Sequence, residues 1–138
     1  MRYVDRYPII VTEAQVACRD FWVAHLGFSV VFENDWFVYL QADGASIAFM
    51  APGHPSWPPG PETYAAGASF ELEVADAAAA LAEVVASGLA PDYPLTNEPF
   101  GQRRFSLRDP SGLWINVVQQ LLGRCVRDQS VLPEIGGT

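Results

Sequence analysis

An internal repeat constrains this chain more than any other feature. Val11-Thr12-Glu13 returns as Val74-Ala75-Asp76, 63 positions on, and the helix-ending glycine Gly27 returns as Gly88, 61 positions on. The small drift between the two spacings fits a slight difference in helix length. Both halves read as strand, helix and then three strands. In the first, YPIIVTE (7–13) is β-branched and apolar, and AQVACRDFWVAHL (14–26) predicts a helix with Ala17, Phe21 and Ala24 on one face. FSVVFE, WFVYLQA and SIAFM follow as strand-like runs, punctuated by Asn34-Asp35 and by the hairpin signal Asp43-Gly44. In the second, ASFELEVAD (68–76) predicts a strand and AAAALAEVVAS (77–87) a helix with Leu81, Val84 and Val85 on one face. A Pro-rich strand region from Asp92 to Pro99 then leads into QRRFSLRD and LWINVVQQ. Glu13 and Asp76 each end a first strand where a carboxylate can cap the helix that follows.

The segment between the halves, residues 52–67, carries five prolines and cannot continue a strand or a helix. At 138 residues the chain is expected to be a single domain, with module one at 1–51, a linker loop at 52–67, module two at 68–120 and a tail at 121–138. Half of the residues are apolar or aromatic, enough for a packed core. The net charge of −8 argues against nucleic acid and anionic membranes as partners. It would attract a cationic small molecule, although an acidic surface also serves solubility alone. Cys18 and Cys125 stand far apart and in no metal-binding spacing, which suggests free thiols in a reducing compartment. MRYVDRYPIIV has no long apolar stretch, so the cytoplasm is the expected location.

Asp109-Pro110-Ser111-Gly112 joins the last two strands as a tight turn, with proline pre-setting the backbone and glycine supplying freedom at the re-entry. With Val11-Thr12-Glu13, Phe21-Trp22 and Leu26-Gly27-Phe28, this turn resembles the vicinal oxygen chelate superfamily, which groups glyoxalase I, extradiol dioxygenases, fosfomycin resistance proteins and bleomycin-binding proteins. The resemblance implies an α+β fold of two βαβββ modules whose eight strands make a curved mixed sheet, a cup for the ligand that a homodimer often completes. Strand alternation then places Ile9, Val11, Phe70, Leu72 and Val74 toward the helices, and Arg6, Pro8, Ile10, Ser69, Glu71 and Glu73 toward the cup.

Metal-dependent members of the superfamily carry His, Gln or Glu at four inward positions. The resemblance maps these onto Arg6, Ala48, Ser69 and Asn116, which give a cation no charged donor. No metal and no other cofactor is therefore expected. His25, at a helix end, is explained by dipole complementarity, whereas His54 lies beside Trp57 in the Pro-rich loop. Binding would then rest on aromatic and soft side chains plus polar anchors. Trp36, Phe37, Tyr39, Met50, Trp57, Tyr64, Phe100 and Trp114 form that inventory, each with core packing as its plain alternative. Trp114 shares strand parity with Asn116. Glu71 and Glu73 are anchors or a general base if they are not simply solvated, and Arg103 or Arg104 offers a fork to a carboxylate such as Asp109.

The candidate ligand-binding residues are Trp36, Tyr39, Met50, His54, Trp57, Glu71, Glu73, Arg103, Trp114 and Asn116, with no catalytic residue assigned. The expected partners are a hydrophobic or aromatic small molecule, with a cationic group as an option, and a second copy of the chain. The first functional reading is metal-independent binding, as in sequestration of an antibiotic or other natural product. The alternative is a glyoxalase-like enzyme, or a metal-free lyase or isomerase with Glu71 or Glu73 as base.

Overall fold

The computed structural model of the chain describes residues 1–2, 4–53 and 68–121. The first half contains β1 (Ile9–Val11), α1 (Gln15–Leu26), β2 (Ser29–Glu33), β3 (Phe37–Ala42) and β4 (Ala45–Met50). The second contains β5 (Ser69–Glu73), α2 (Ala77–Ala86), β6 (Tyr93–Glu98), β7 (Gln102–Arg108) and β8 (Trp114–Gln120). The repeat is thus present element for element, an α+β fold of two βαβββ modules. The strands form two four-stranded mixed sheets, ordered β1-β4-β3-β2 and β5-β8-β7-β6. In each sheet the module's first strand runs parallel to its last.

In the first sheet, Asp43 (φ 48°) and Gly44 (φ 82°) make the β3–β4 turn, which needs left-handed backbone at both positions. Val38, Leu40, Ile47 and Phe49 are buried under α1, where the Trp22 ring lies 6.0 Å from Phe49. Two expectations are corrected here. The buried stripe of α1 runs through Cys18 and Trp22, while Ala17 and Ala24 are exposed, because burying an indole outweighs burying two methyl groups. The parity of β1 is also reversed. Ile10 lies opposite Phe49 on the helix-covered face, and Ile9 and Val11 lie opposite Ala48 and Met50 on the other. Every residue of Ile9-Ile10-Val11 is apolar, so alternation carries no signal there.

The helix starts differ between the repeats. Asp76 caps α2 as expected, accepting from the Ala79 amide at 3.1 Å. Glu13 does not cap α1; the Thr12 hydroxyl accepts from the Ala14 amide at 3.0 Å instead. In the second sheet, Phe70 and Leu72 lie opposite Ile115 and Val117 on the face toward α2, where Gln119 Oε1 accepts from the Ala77 amide. Val84 of α2 is buried there, Leu81 is half-buried and Val85 is exposed.

The described fold divides into two compact units, Met1–Ala68 with Arg108–Leu113, and Ser69–Leu107 with Trp114–Thr138. The turn after β7 therefore belongs to the first unit, where the buried Asp109 is its centre. Its Oδ2 accepts from Trp22 Nε1 at 3.0 Å, and its Oδ1 accepts from the Ser111 amide at 2.8 Å, the Ser111 hydroxyl at 2.5 Å and the Leu113 amide at 3.2 Å. A buried carboxylate is tolerable only when its lone pairs are filled in this way. Asp109→Ala should lower the unfolding free energy by about 3 kcal/mol, since it strips an indole N–H and two turn amides of their acceptor. Equilibrium urea unfolding checks this.

Cys18 is fully buried near the same carboxylate. Burial, and then the negative charge of Asp109, push its thiol from 9.0 up to about 12. The unfolded chain therefore ionises this thiol first. Its contribution to stability is complete below pH 9.0 and is lost as pH rises toward about 12. The wild-type urea midpoint should fall across that alkaline window, and the fall should be shallower in Cys18→Ala.

Candidate functional site

The second sheet has one apolar face and one polar face, set by the alternation Ser69-Phe70-Glu71-Leu72-Glu73 in β5. The register pairs Ser69 with Trp114, Glu71 with Asn116 and Glu73 with Val118, so these six side chains share the face turned away from α2. A chain of hydrogen bonds crosses it. The Ser106 hydroxyl, itself buried, donates to Asn116 Oδ1 at 2.5 Å, and Asn116 Nδ2 donates to Glu71 Oε2 at 2.6 Å. Ser69 Oγ donates to the same Glu71 oxygen at 3.0 Å. The serine fixes which end of the amide meets the carboxylate, because a hydroxyl proton needs the amide oxygen. Beside this network Trp114 remains 37% exposed. Glu73 lies farther along, with Gln120 Nε2 at 3.5 Å from its Oε1.

A second group on the same sheet surrounds Arg104. Its Nε donates to Glu98 Oε2 at 2.7 Å, and its guanidinium lies 5.4 Å from the Tyr93 ring centroid and 5.6 Å from that of Phe100. Tyr93 also donates to Glu98 Oε2, at 2.8 Å. The Tyr93 hydrogen bond, and then Arg104, hold the Glu98 carboxyl below its ordinary value. Arg103, the sequence-predicted anchor, alternates to the opposite face, where its Nε donates to Asn97. Neither arginine pairs with Asp109, which takes Trp22 instead.

The first unit carries the remaining described candidates, with Tyr39 and Met50 on the face of its sheet away from α1. Tyr39 donates to Asp5, accepts from Gln41 Nε2 at 2.7 Å and has its ring tilted against that of Tyr7, centroids 4.7 Å apart. The Tyr39 hydrogen bond is the main cause that holds the Asp5 carboxyl below its ordinary value. Met50 is buried between Val11 and Phe37 in the register, a packing position. Trp36 precedes β3, where its amide donates to Asn34 Oδ1 and its ring tilts against Phe37. His54 and Trp57 lie outside the described residues, as does Tyr64. His25 sits in the last turn of α1 with its ring edge-on to Phe21.

The structure thus gathers Glu71, Glu73, Trp114 and Asn116 in the second unit, and places Tyr39 and Met50 in the first. Sequence reasoning passed over Ser106 as the partner of Asn116. The signal was present, because a short turn between β7 and β8 dictates which residues face each other.

The profile of the Glyoxalase/Bleomycin resistance protein/Dioxygenase superfamily matches residues 4–117. The chain belongs to this superfamily. Among solved structures similar to this superfamily chain, a lactoylglutathione lyase from Agrobacterium tumefaciens has a TM-score of 0.68 at 17% identity, covering 89% of this chain and 98% of that one. A superfamily member from Sphaerobacter thermophilus DSM 20745 has a TM-score of 0.64 at 26% identity, covering 87% and 98%. A glyoxalase/bleomycin resistance protein/dioxygenase from Nocardioides has a TM-score of 0.66 at 18% identity, covering 89% and 87%. No curated protein matches the chain in sequence.

The side chains at the four positions onto which the resemblance maps the metal ligands do not fit a divalent cation. Ala48 has no donor atom, and Arg6, which precedes β1, carries a positive charge. Ser69 and Asn116 are neutral and already bonded to Glu71. Among the described residues no three His, Cys, Asp or Glu side chains come together to hold a metal ion. One carboxylate with two neutral donors is a weak set beside the several oxygen or imidazole ligands such ions require.

The Glu98 group gives a direct test of the electrostatics on this face. Followed by carboxyl NMR, Glu98 should titrate below 4.5, and Tyr93→Phe should raise its midpoint, since it removes the first cause of the depression. The Arg104 pairing should accordingly persist into mild acid and be lost only as pH falls through the depressed Glu98 value.

Proposed function

We propose that this superfamily member is a metal-independent binding protein for a hydrophobic or aromatic small molecule, such as an antibiotic or other natural product that it sequesters. The observation that carries the reading is the face of the second sheet, where an exposed Trp114 borders the hydrogen-bonded Ser106–Asn116–Glu71 chain. Fixed polar groups beside an aromatic surface are what a small-molecule site needs for orientation and affinity. Sequestration requires no nucleophile and no metal. The reading takes the protein to act as a homodimer in the cytoplasm, in keeping with the free, buried Cys18 thiol and with the absence, among the described residues, of a helix long and apolar enough to cross a membrane.

A second reading, a metal-free lyase or isomerase or a glyoxalase-like enzyme, is favoured by one specific feature. Glu71 is exposed and both of its donors meet Oε2, which leaves the other oxygen placed to take a proton.

Tryptophan emission titrated with a panel of planar natural products should show saturable quenching, and Trp114→Phe should remove most of the response. Unchanged emission across the panel would overturn the binding reading. Turnover of a panel member, lost in Glu71→Gln with binding retained, would replace it with the enzymatic one.

A further inference from the structure

Glu71 is held in an unsymmetrical way that bears on the charge of what it meets. Ser69 and Asn116 both donate to Oε2, and among the described residues nothing donates to Oε1. A glutamate on a solvated surface needs no such restraint, yet here a buried serine orients an amide that in turn orients the carboxylate. The pinned side chain loses little further freedom when a partner arrives at Oε1, so the ordering cost of binding is largely met beforehand.

Charge on the same face selects the partner. Arg104 is committed to Glu98 at 2.7 Å, and among the described residues no cation forms an ion pair with Glu71. The net charge of the whole chain, −8, adds a long-range field of the same sign. Trp114 completes the arrangement. It sits one rung from Asn116 on the neighbouring strand, which puts its backbone roughly 8 Å from that of Glu71, within the reach of one compact ligand. An indole face favours a cation or a flat ring above it.

From these features we infer that Glu71 Oε1 is the anchor for a protonated nitrogen of the ligand, an ammonium or amidinium group borne by an aromatic body that lies against Trp114. Asn116 and Ser106 are positioning residues for that carboxylate. The inference rests on the binding reading above and adds the charge and the donor type of the ligand.

Three probes of one shape separate the two claims: 1-naphthylmethylamine, 1-naphthylmethanol and 1-naphthoate, each titrated into the full-length protein and followed through the Trp114 indole N–H by NMR. The amine should bind at least about tenfold more tightly than the alcohol, a charge-assisted bond against a neutral one, and the carboxylate should bind most weakly. Glu71→Gln, with an unchanged circular dichroism spectrum, should bring the amine down to the level of the alcohol. Ser106→Ala should weaken the amine and leave the alcohol unaffected, which a purely structural role for Ser106 would not do. Should Glu71→Gln fail to fold, Glu71→Asp, which keeps the charge but withdraws it from Asn116, should reduce the same preference.

Equal binding of amine and alcohol, or a preference that survives Glu71→Gln, overturns the cation anchor while leaving the aromatic binding reading in place. No shift of Trp114 with any of the three probes overturns both.

Discussion

The first unit is organised around a carboxylate that is almost wholly withdrawn from water. Taking Asp109 out of solvent costs several kcal/mol, a cost met only if donors reach both of its oxygens. Four donors do so, and each restricts the sequence around it. The indole of Trp22 must be the large residue on the buried side of α1. Ser111 must offer both an amide and a hydroxyl, Pro110 brings no N–H that would need a partner, and Gly112 takes φ 89°. The Asp-Pro-Ser-Gly turn is thus more than a reversal of chain direction. It fixes the length of the β7–β8 connection, and connection length decides that Ser106 lies beside Asn116 rather than one residue away.

Legibility in the sequence follows the contrast between neighbouring residues. In β5, Ser69-Phe70-Glu71-Leu72-Glu73 alternates polar with apolar, and its two faces are where alternation puts them. In β1, Ile9-Ile10-Val11 has no contrast, so its parity is decided by pairing with β4, a long-range contact that no local pattern encodes. The same argument covers the helices. Gly27 and Gly88 mark real helix ends, at φ 74° and φ 103°, because a left-handed residue there is a local requirement. The buried stripe of α1 is not local, since it depends on Asp109 waiting for an indole. Glu13 looked like a cap because it aligns with Asp76, but α1 begins two residues after it without a side-chain cap, and the Thr12 hydroxyl takes the Ala14 amide just before the helix.

The candidate site shows this divide at higher stakes. Glu71, Trp114 and Asn116 were legible as one face from strand parity together with the ligand position that the resemblance assigns to Asn116. Arg103 and Arg104 are adjacent, identical in chemistry and opposite in direction, so composition could not choose between them. The β6–β7 register chooses, setting Arg104 across from Thr96 and Arg103 across from Asn97. The residues that complete the polar groups, Ser106, Tyr93 and Glu98, are unremarkable one by one. They matter only as partners, which is a property of pairing and not of residue type.

The two repeats share a topology and differ in polar equipment. Away from its helix the first sheet gathers Asp5, Tyr7, Tyr39 and Gln41 around a phenol, while the second gathers Ser69, Glu71, Ser106 and Asn116 around a carboxylate. A βαβββ module fixes which strand positions share a face and leaves the side chains there free to vary, so the fold alone does not settle the chemistry. A divalent cation at the Asn116 position would need the lone pairs that Ser106 and Asn116 already occupy with protons. Those same hydrogen bonds hold a single carboxylate still and direct its open oxygen, an arrangement suited to accepting a proton or an N–H donor and poorly suited to surrounding a metal ion.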